Sequence, residues 1–337
     1  MAADWVKPPE NSLDGLRHAI NHMDGVEFDL RLTKDEQLIL FHDNHLSKQQ
    51  RKETGGRKWV EDYDAETLQS LGAPLFSDLL EDESFKTAWR EHGKVACVEL
   101  KMPHPQAKHA GSVNPRKRER HARKMAKMVD RMLTELDVPH NAVVLYSFKR
   151  RFRKSCARAG VKWPVAQLQP AIPEIGNDNV KRVLTLPSFM WLSLPFHLNY
   201  QQNVGAPMLP CALEYLHGWT RHITLGRTVG LHGYTARRLT RIREGYQAYV
   251  WPTPIELEQP LKDLGLTGIS DYASPELHTL PTGGARWTRW ASQPLDDERE
   301  ALLRTAEPEH HEALIAEASR EVAPWHELSD LERKGFL

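Results

Sequence analysis

The chain has 337 residues, and its 45 basic and 45 acidic side chains give a formal net charge of zero. This balance offers no long-range attraction for nucleic acid, so we expect no nucleic-acid partner. Three cysteines without CxxC spacing indicate neither a zinc cluster nor a disulfide framework, and we expect a reducing, cytoplasmic location. No apolar run approaches the ~20 residues of an integral membrane segment. The sequence gives no indication of the oligomeric state.

Short apolar runs alternate with longer charged stretches of helical spacing along most of the chain. Strands are predicted at 25–33, 38–42, 95–101, 142–147, 164–169, 248–251 and 267–270. Helices are predicted at 12–23, 66–80, 116–136, 148–159 and 236–245. This alternation predicts an α/β fold with a parallel sheet, and a TIM (β/α)8 barrel is preferred to an open sheet. Residues 283–337 contain no strand candidate and are predicted to be a helical C-terminal extension of a barrel at 1–282.

Two acids stand two residues apart in the first strand. On a β-strand, residues i and i+2 point to the same face, so Glu27 and Asp29 project side by side, while Val26, Phe28 and Leu30 face the opposite way. Neighbouring carboxylates repel unless a cation lies between them or one is protonated. A hard divalent ion with oxygen ligands is the simplest resolution.

A second strand adds Glu99 and Lys101 at its carboxyl end, where barrel active sites lie. Three acids, one lysine and His42 together suit metal-assisted attack at phosphorus, with the imidazole carrying the proton. Each residue also has a simpler interpretation. The two acids of the first strand could line a solvated face, Glu99 and Lys101 could form a same-face ion pair, and His42 could be a structural histidine.

Several segments in this order resemble the glycerophosphodiester phosphodiesterase family. They include Glu10-Asn-Ser-Leu, Gly25-Val-Glu-Phe-Asp, Phe41-His-Asp, Val98-Glu-Leu-Lys, Ser147-Phe, Tyr249-Val-Trp and Gly265-Leu-Thr-Gly-Ile-Ser-Asp. The resemblance implies a metal-dependent barrel that cleaves glycerophosphodiesters to glycerol 3-phosphate and an alcohol. The related spider-venom phospholipase D toxins share this constellation, so a lysolipid substrate stays open beside a small-molecule phosphodiester.

The resemblance also implies roles for individual residues. Glu27, Asp29 and Glu99 would bind one divalent cation, Mg²⁺ or Ca²⁺. His42 would be a catalytic acid or base, Lys101 would contact the phosphate, and Trp251 would line the substrate pocket. For Trp251, an aromatic side chain that only fills the barrel interior is an equal alternative.

One family feature is missing from the sequence. Family members begin with a strand ending in His-Arg-Gly, whose histidine completes the catalytic pair, but only nine residues precede Glu10 here. Either the true start lies upstream, or the barrel lost its first strand and survives as a catalytically inactive phosphodiester-binding protein. Because a barrel without one strand has exposed edges and an open core, we favour the upstream start and expect the chain as given to be impaired.

A basic run at 116–131 could dock on an anionic head group or form the solvated face of a helix, and the second interpretation is favoured.

Overall fold

The computed structural model describes residues 8–23, 25–91, 94–149, 152–168, 208–212, 247–253, 258 and 267–270. The chain divides into two compact units, Met1–Gln167 and Leu168–Leu337. The predicted helix at 236–245 and the predicted helical extension at 283–337 lie outside the described residues.

The first unit is a mixed α/β structure. Its helices are α1 (Leu13–His22), α2 (Lys48–Glu53), α3 (Ala65–Ser70), α4 (Phe76–Glu81), α5 (Glu83–Glu91), α6 (Pro115–Glu135) and α7 (Phe152–Ala159). Its strands are β1 (Gly25–Leu32), β2 (Leu38–Leu40), β3 (Val95–Leu100) and β4 (Val143–Tyr146). Two short 3₁₀ helices, Val60–Asp62 and His140–Ala142, complete it.

The four strands form one sheet in the order β2-β1-β3-β4, in which β1, β3 and β4 are parallel. The register aligns Asp29 with Glu99, and Glu99 with Tyr146. The strands β1 and β3 approach closely where they begin, because a Cβ atom at Gly25 would lie 2.0 Å from the carbonyl oxygen of Val95. Parallel strands in this register bring their carboxyl ends to one edge of the sheet.

The alternation of side chains along β1 separates a core face from a polar face. Phe28 is fully buried and packs in edge contact with Phe85 and Trp89 of α5. The Trp89 indole N–H donates to the carbonyl of Ala142, 2.7 Å away, which ties α5 to the start of β4. The apolar residues of β1 therefore face the core that the helices cover, and the polar face of the strand is left for the site.

The predicted strand at 38–42 is present as β2, but it does not belong to the parallel series. It runs antiparallel to β1, with Leu30 opposite Leu40 and Leu32 opposite Leu38. The five residues between the two strands suffice for a hairpin and are too few for a crossover helix, which a parallel connection needs. The parallel strands of this unit are thus β1, β3 and β4.

Two other predictions need correction. The helix predicted at 66–80 is interrupted between α3 and α4, because Gly72 adopts a left-handed φ of 90° and Pro74 cannot donate a helical hydrogen bond. Of the strand predicted at 164–169, the described residues 164–168 form one bridge, between Val165 and Leu145. Helices α2 and α5 were not predicted, and α7 begins at Phe152 instead of 148.

The second unit contains a three-stranded parallel sheet in the order β5-β6-β7. Its strands are β5 (Met208–Ala212), β6 (Gln247–Trp251) and β7 (Thr267–Gly268). The last two were predicted, whereas β5 lies in a stretch that the sequence pattern left unassigned. Among the described helices of the whole chain, none combines the length and apolarity that a membrane crossing requires.

Candidate active site

Three carboxylates from the parallel strands β1 and β3 converge. Glu27 and Asp29 share the polar face of β1, and Glu99 stands beside Asp29 in the register of β3. Each of the three offers one carboxylate oxygen, and these oxygens all lie within 4.8 Å of one another. Asp29 and Glu99 are buried, and Glu27 is half-buried. The structure thus brings together the three acids that the sequence predicted to share a cation.

Burial and repulsion from neighbouring carboxylates make Glu27 and Glu99 reluctant to ionise. Burial raises the pKa of Glu99 to about 7, with a further rise from Asp29 that Lys101 and His42 partly offset. Burial, then Asp29, then Glu99 raise the pKa of Glu27 well above its ordinary value. A bound cation would offset both the burial cost and the repulsion, and it would favour the ionised forms of these two acids.

Lys101 lies between two of the acids. Its ammonium nitrogen is 3.0 Å from Asp29 Oδ1 and 2.9 Å from Glu99 Oε2. Burial lowers its pKa, but the two carboxylates raise it more, and the net direction is upward. Lys101 therefore stays protonated at neutral pH, and it provides a fixed positive charge beside the three carboxylates.

His42 follows β2, is exposed to solvent and lies close to Asp29. One of its ring nitrogens belongs to a second group of ligand-type atoms within 4.8 Å of one another, together with Asp29 and Glu10. Its Nδ1 lies 3.1 Å from Asp43 Oδ1, so a proton on Nδ1 would be donated to Asp43. The ring is about half exposed, which leaves it accessible to substrate and water.

Two residues that sequence reasoning did not assign to the site hold the acids in place. The Asn11 amide donates to Asp29 Oδ2 at 3.0 Å, and its Oδ1 accepts the backbone N–H of Asp29 at 2.9 Å. The Tyr146 hydroxyl donates to Glu27 Oε1 at 3.2 Å, and burial raises the pKa of this phenol, which keeps it protonated. No feature of the sequence marked Asn11 for this role, because its left-handed φ of 56°, a conformation that asparagine tolerates, is seen only in the structure.

Trp251 ends β6 in the second unit, where it is aligned with Ala212 and half-buried. Its predicted contribution to the substrate pocket remains a prediction.

The residues present fit a divalent cation. The three acids supply oxygen donors only, which is the donor type that Mg²⁺ and Ca²⁺ prefer. The pKa values of Glu27 and Glu99 are raised first by burial and further by the neighbouring carboxylates, and the charge of a bound cation would offset both effects.

Comparison with known families gives a match over more than half of the chain. The model of the glycerophosphoryl diester phosphodiesterase family matches residues 4–185, a range that contains all three acids, His42 and Lys101. No curated protein matches the chain.

Three solved structures described as phosphodiesterases are similar to this chain at low sequence identity. A structure from Silicibacter pomeroyi DSS-3, described as a glycerophosphoryl diester phosphodiesterase, is 16% identical, with 79% of this chain and 86% of that chain covered and a TM-score of 0.50. An Oleispira antarctica phosphodiesterase in complex with its product sn-glycerol-3-phosphate is 17% identical, covering 79% and 89%, with a TM-score of 0.49. A Thermotoga maritima glycerophosphodiester phosphodiesterase is 16% identical, covering 79% and 90%, with a TM-score of 0.49. At 16% identity, the similarity to the Silicibacter pomeroyi structure is evidence for a shared fold only.

Proposed function

The chain belongs to the glycerophosphoryl diester phosphodiesterase family, and on this premise we propose that it hydrolyses glycerophosphodiesters to glycerol 3-phosphate and an alcohol. The observation that carries the proposal is the convergence of carboxylate oxygens from Glu27, Asp29 and Glu99 within 4.8 Å, with the Lys101 ammonium against two of these acids. We extend the proposal to a (β/α)8 barrel, in which β1, β3 and β4 are consecutive barrel strands.

Glu27, Asp29 and Glu99 would hold one divalent cation, Mg²⁺ or Ca²⁺. When bound, the ion would supply positive charge that polarises a phosphate oxygen. Asn11 and Tyr146 orient two of the ligands by hydrogen bonds, as the second shell of a metal site does.

Lys101 and His42 have separate roles in this proposal. The Lys101 ammonium stabilises negative charge that grows on the phosphate oxygens during cleavage. In the proposed step a water oxygen bonds to phosphorus while the bond from phosphorus to the leaving alcohol oxygen breaks, and the proton released from the water passes to solvent. His42 in its protonated form gives its Nε2 proton to the alcohol oxygen, while Nδ1–H donates to Asp43 and holds the ring. Trp251 is proposed to line the pocket for the alcohol moiety.

The proposed activity can be tested by the release of glycerol 3-phosphate from glycerophosphocholine. We expect release that stops when EDTA removes the cation and returns when Mg²⁺ or Ca²⁺ is added in excess. Choline release from lysophosphatidylcholine without turnover of glycerophosphocholine would instead indicate a lysophospholipase D-type enzyme. A folded chain that binds the cation and the substrate without turnover would indicate an inactive phosphodiester-binding barrel and would contradict the proposal.

His42→Asn is expected to lower kcat by roughly 10²–10⁴-fold, the contribution of a positioned general acid. The matched control is His45→Asn, because His45 is an exposed histidine of the same loop whose ring contacts Asn44. The control is expected to retain the wild-type kcat. Equal losses in the two variants would show that the loop, and not the His42 imidazole, is responsible.

A further inference from the structure

Arg31 is the third member of the polar series on β1, because it follows Glu27 and Asp29 with the same spacing of two residues. Unlike a surface arginine, it is almost completely buried, with 4% of the residue exposed. Its guanidinium therefore lies inside the protein near the site.

The guanidinium of Arg31 contacts the two segments that carry His42 and Lys101. Its Nη2 and Nε donate to the carbonyl oxygen of His42 at 2.8 and 3.2 Å. Its Nη1 also lies 3.5 Å from the carbonyl oxygen of Met102, the residue that follows Lys101. A planar guanidinium can hold several acceptors in fixed directions at once, which an ammonium cannot.

Glu61 holds the guanidinium in place from the other side. Its Oε1 accepts from Arg31 Nη1 at 2.7 Å, and the residue is only 1% exposed. Its Oε2 is buried without a hydrogen-bond partner among the described residues, and burial raises the pKa of this carboxyl despite the nearby arginine. A buried pair with such an unsatisfied atom adds little net stability compared with apolar side chains, so its arrangement calls for another explanation.

The same two segments are also tied to each other further along the chain. The backbone N–H of His109 donates to Asp62 Oδ1 at 2.9 Å. The rings of Trp59 and His104 stack with their centroids 3.5 Å apart and an interplanar angle of 7°. The segment after β2 and the segment after β3 thus form one connected structure, with Arg31 between the strands from which they emerge.

We propose that Arg31, held by Glu61, is a positioning residue that fixes the backbone of His42 and of the Lys101–Met102 segment relative to the three acids. This inference rests on the proposed function for the roles of His42 and Lys101. Arg31 reaches His42 and Met102 only through their carbonyl oxygens, and it acts on the reaction through these residues.

The test compares Arg31→Met with Arg31→Lys, Glu61→Gln and the control Arg17→Met. Arg17 forms an ion pair with Asp82 that links α1 to the start of α5, and its loss removes an arginine pair remote from His42. We expect Arg31→Met to lower kcat by about 10²-fold, the cost of a displacement of about 1 Å at a reacting group. KM and the affinity for Mn²⁺ should stay near wild type, because Glu27, Asp29 and Glu99 are retained.

The conservative variants keep the test decidable if Arg31→Met does not fold. Glu61→Gln retains an acceptor for Arg31 Nη1 and is expected to keep most of kcat. Arg31→Lys retains the positive charge but loses the planar guanidinium with its several donors. It should therefore fold and give a kcat between those of the wild type and Arg31→Met. A kcat for Arg31→Lys equal to wild type would overturn the proposal.

Amide hydrogen exchange gives a readout that does not need turnover. Arg31→Met, or Arg31→Lys where the first does not fold, should increase exchange in both 41–44 and 102–104, whereas Arg17→Met should not. Unchanged exchange in both segments would overturn the positioning role even if kcat falls. Absence of turnover in the wild type would refute the proposed function, and the exchange comparison would still decide whether Arg31 orders the two segments.

Discussion

Asp29→Asn is expected to lower kcat/KM for glycerophosphodiester hydrolysis by at least about 10³-fold, because metal-ion stabilisation contributes several kcal/mol and each ~1.4 kcal/mol is tenfold in rate. Asp29 is aligned with Glu99, shares the ligand group with Glu27 and contacts Lys101. The amide keeps the size of the side chain but removes the charge that a cation requires. The measurements are steady-state kinetics and calorimetric titration with Mg²⁺.

A second variant and a control separate metal binding from general damage. Glu27→Gln should give a similar loss, and the double variant should be little worse than either single one, since ligands of one ion act as a unit. Glu91→Gln removes an exposed carboxylate at the end of α5 and should leave kcat/KM unchanged. Wild-type activity in Asp29→Asn would contradict the assignment, as would losses that multiply in the double variant.

In EDTA, Glu99→Gln is expected to be more stable than the wild type at pH 8 and nearly equal to it at pH 4, below the ordinary pKa of the carboxyl. Burial raises the pKa of Glu99 to about 7, so the folded state binds more protons than the unfolded state between its ordinary pKa of 4.5 and about 7. The wild type therefore loses stability as pH rises through this window, at up to ~1.4 kcal/mol per pH unit for one proton. Glutamine does not titrate, so the variant avoids this loss. Urea unfolding at both pH values measures the difference.

The wild type must be compared with Glu99→Gln because the stability contributed by another group changes with pH in the opposite direction. Burial lowers the pKa of His121 to about 4, so this residue adds stability as pH rises towards its ordinary value of 6.5. His121 is present in both proteins, and its effect cancels in the difference. Saturating Mg²⁺ should reverse the order at pH 8, because the ion stabilises only the protein with all its ligands. A wild type more stable than Glu99→Gln in EDTA at pH 8 would contradict this account.

The polar face of β1 was predictable from sequence because strand periodicity is local. Glu27 and Asp29 alternate with Val26, Phe28 and Leu30, and this pattern alone separates the two faces. The register of Asp29 with Glu99 depends on how two distant segments pair, and only the structure gives it. The prediction that Glu99 joins the first two acids relied on the general location of barrel sites at carboxyl strand ends.

The supporting residues were not predictable for a different reason. Asn11, Tyr146 and Arg31 act through hydrogen bonds to atoms 18, 119 and 11 residues away. Such contacts leave no periodic signal, and each residue also has an ordinary local interpretation. The antiparallel direction of β2 could have been inferred from the five-residue connection, which is too short for a crossover.

The most direct test of the shared cation site is a crystal structure with Mn²⁺ and its anomalous difference map. Mn²⁺ accepts the same oxygen ligands as Mg²⁺. We predict one peak at about 2.0–2.6 Å from carboxylate oxygens of Glu27, Asp29 and Glu99 together, the range of Mg²⁺ and Ca²⁺ ligand distances. A peak that involves none of these oxygens, or acids of β1 and β3 that point to separate regions, would contradict the account.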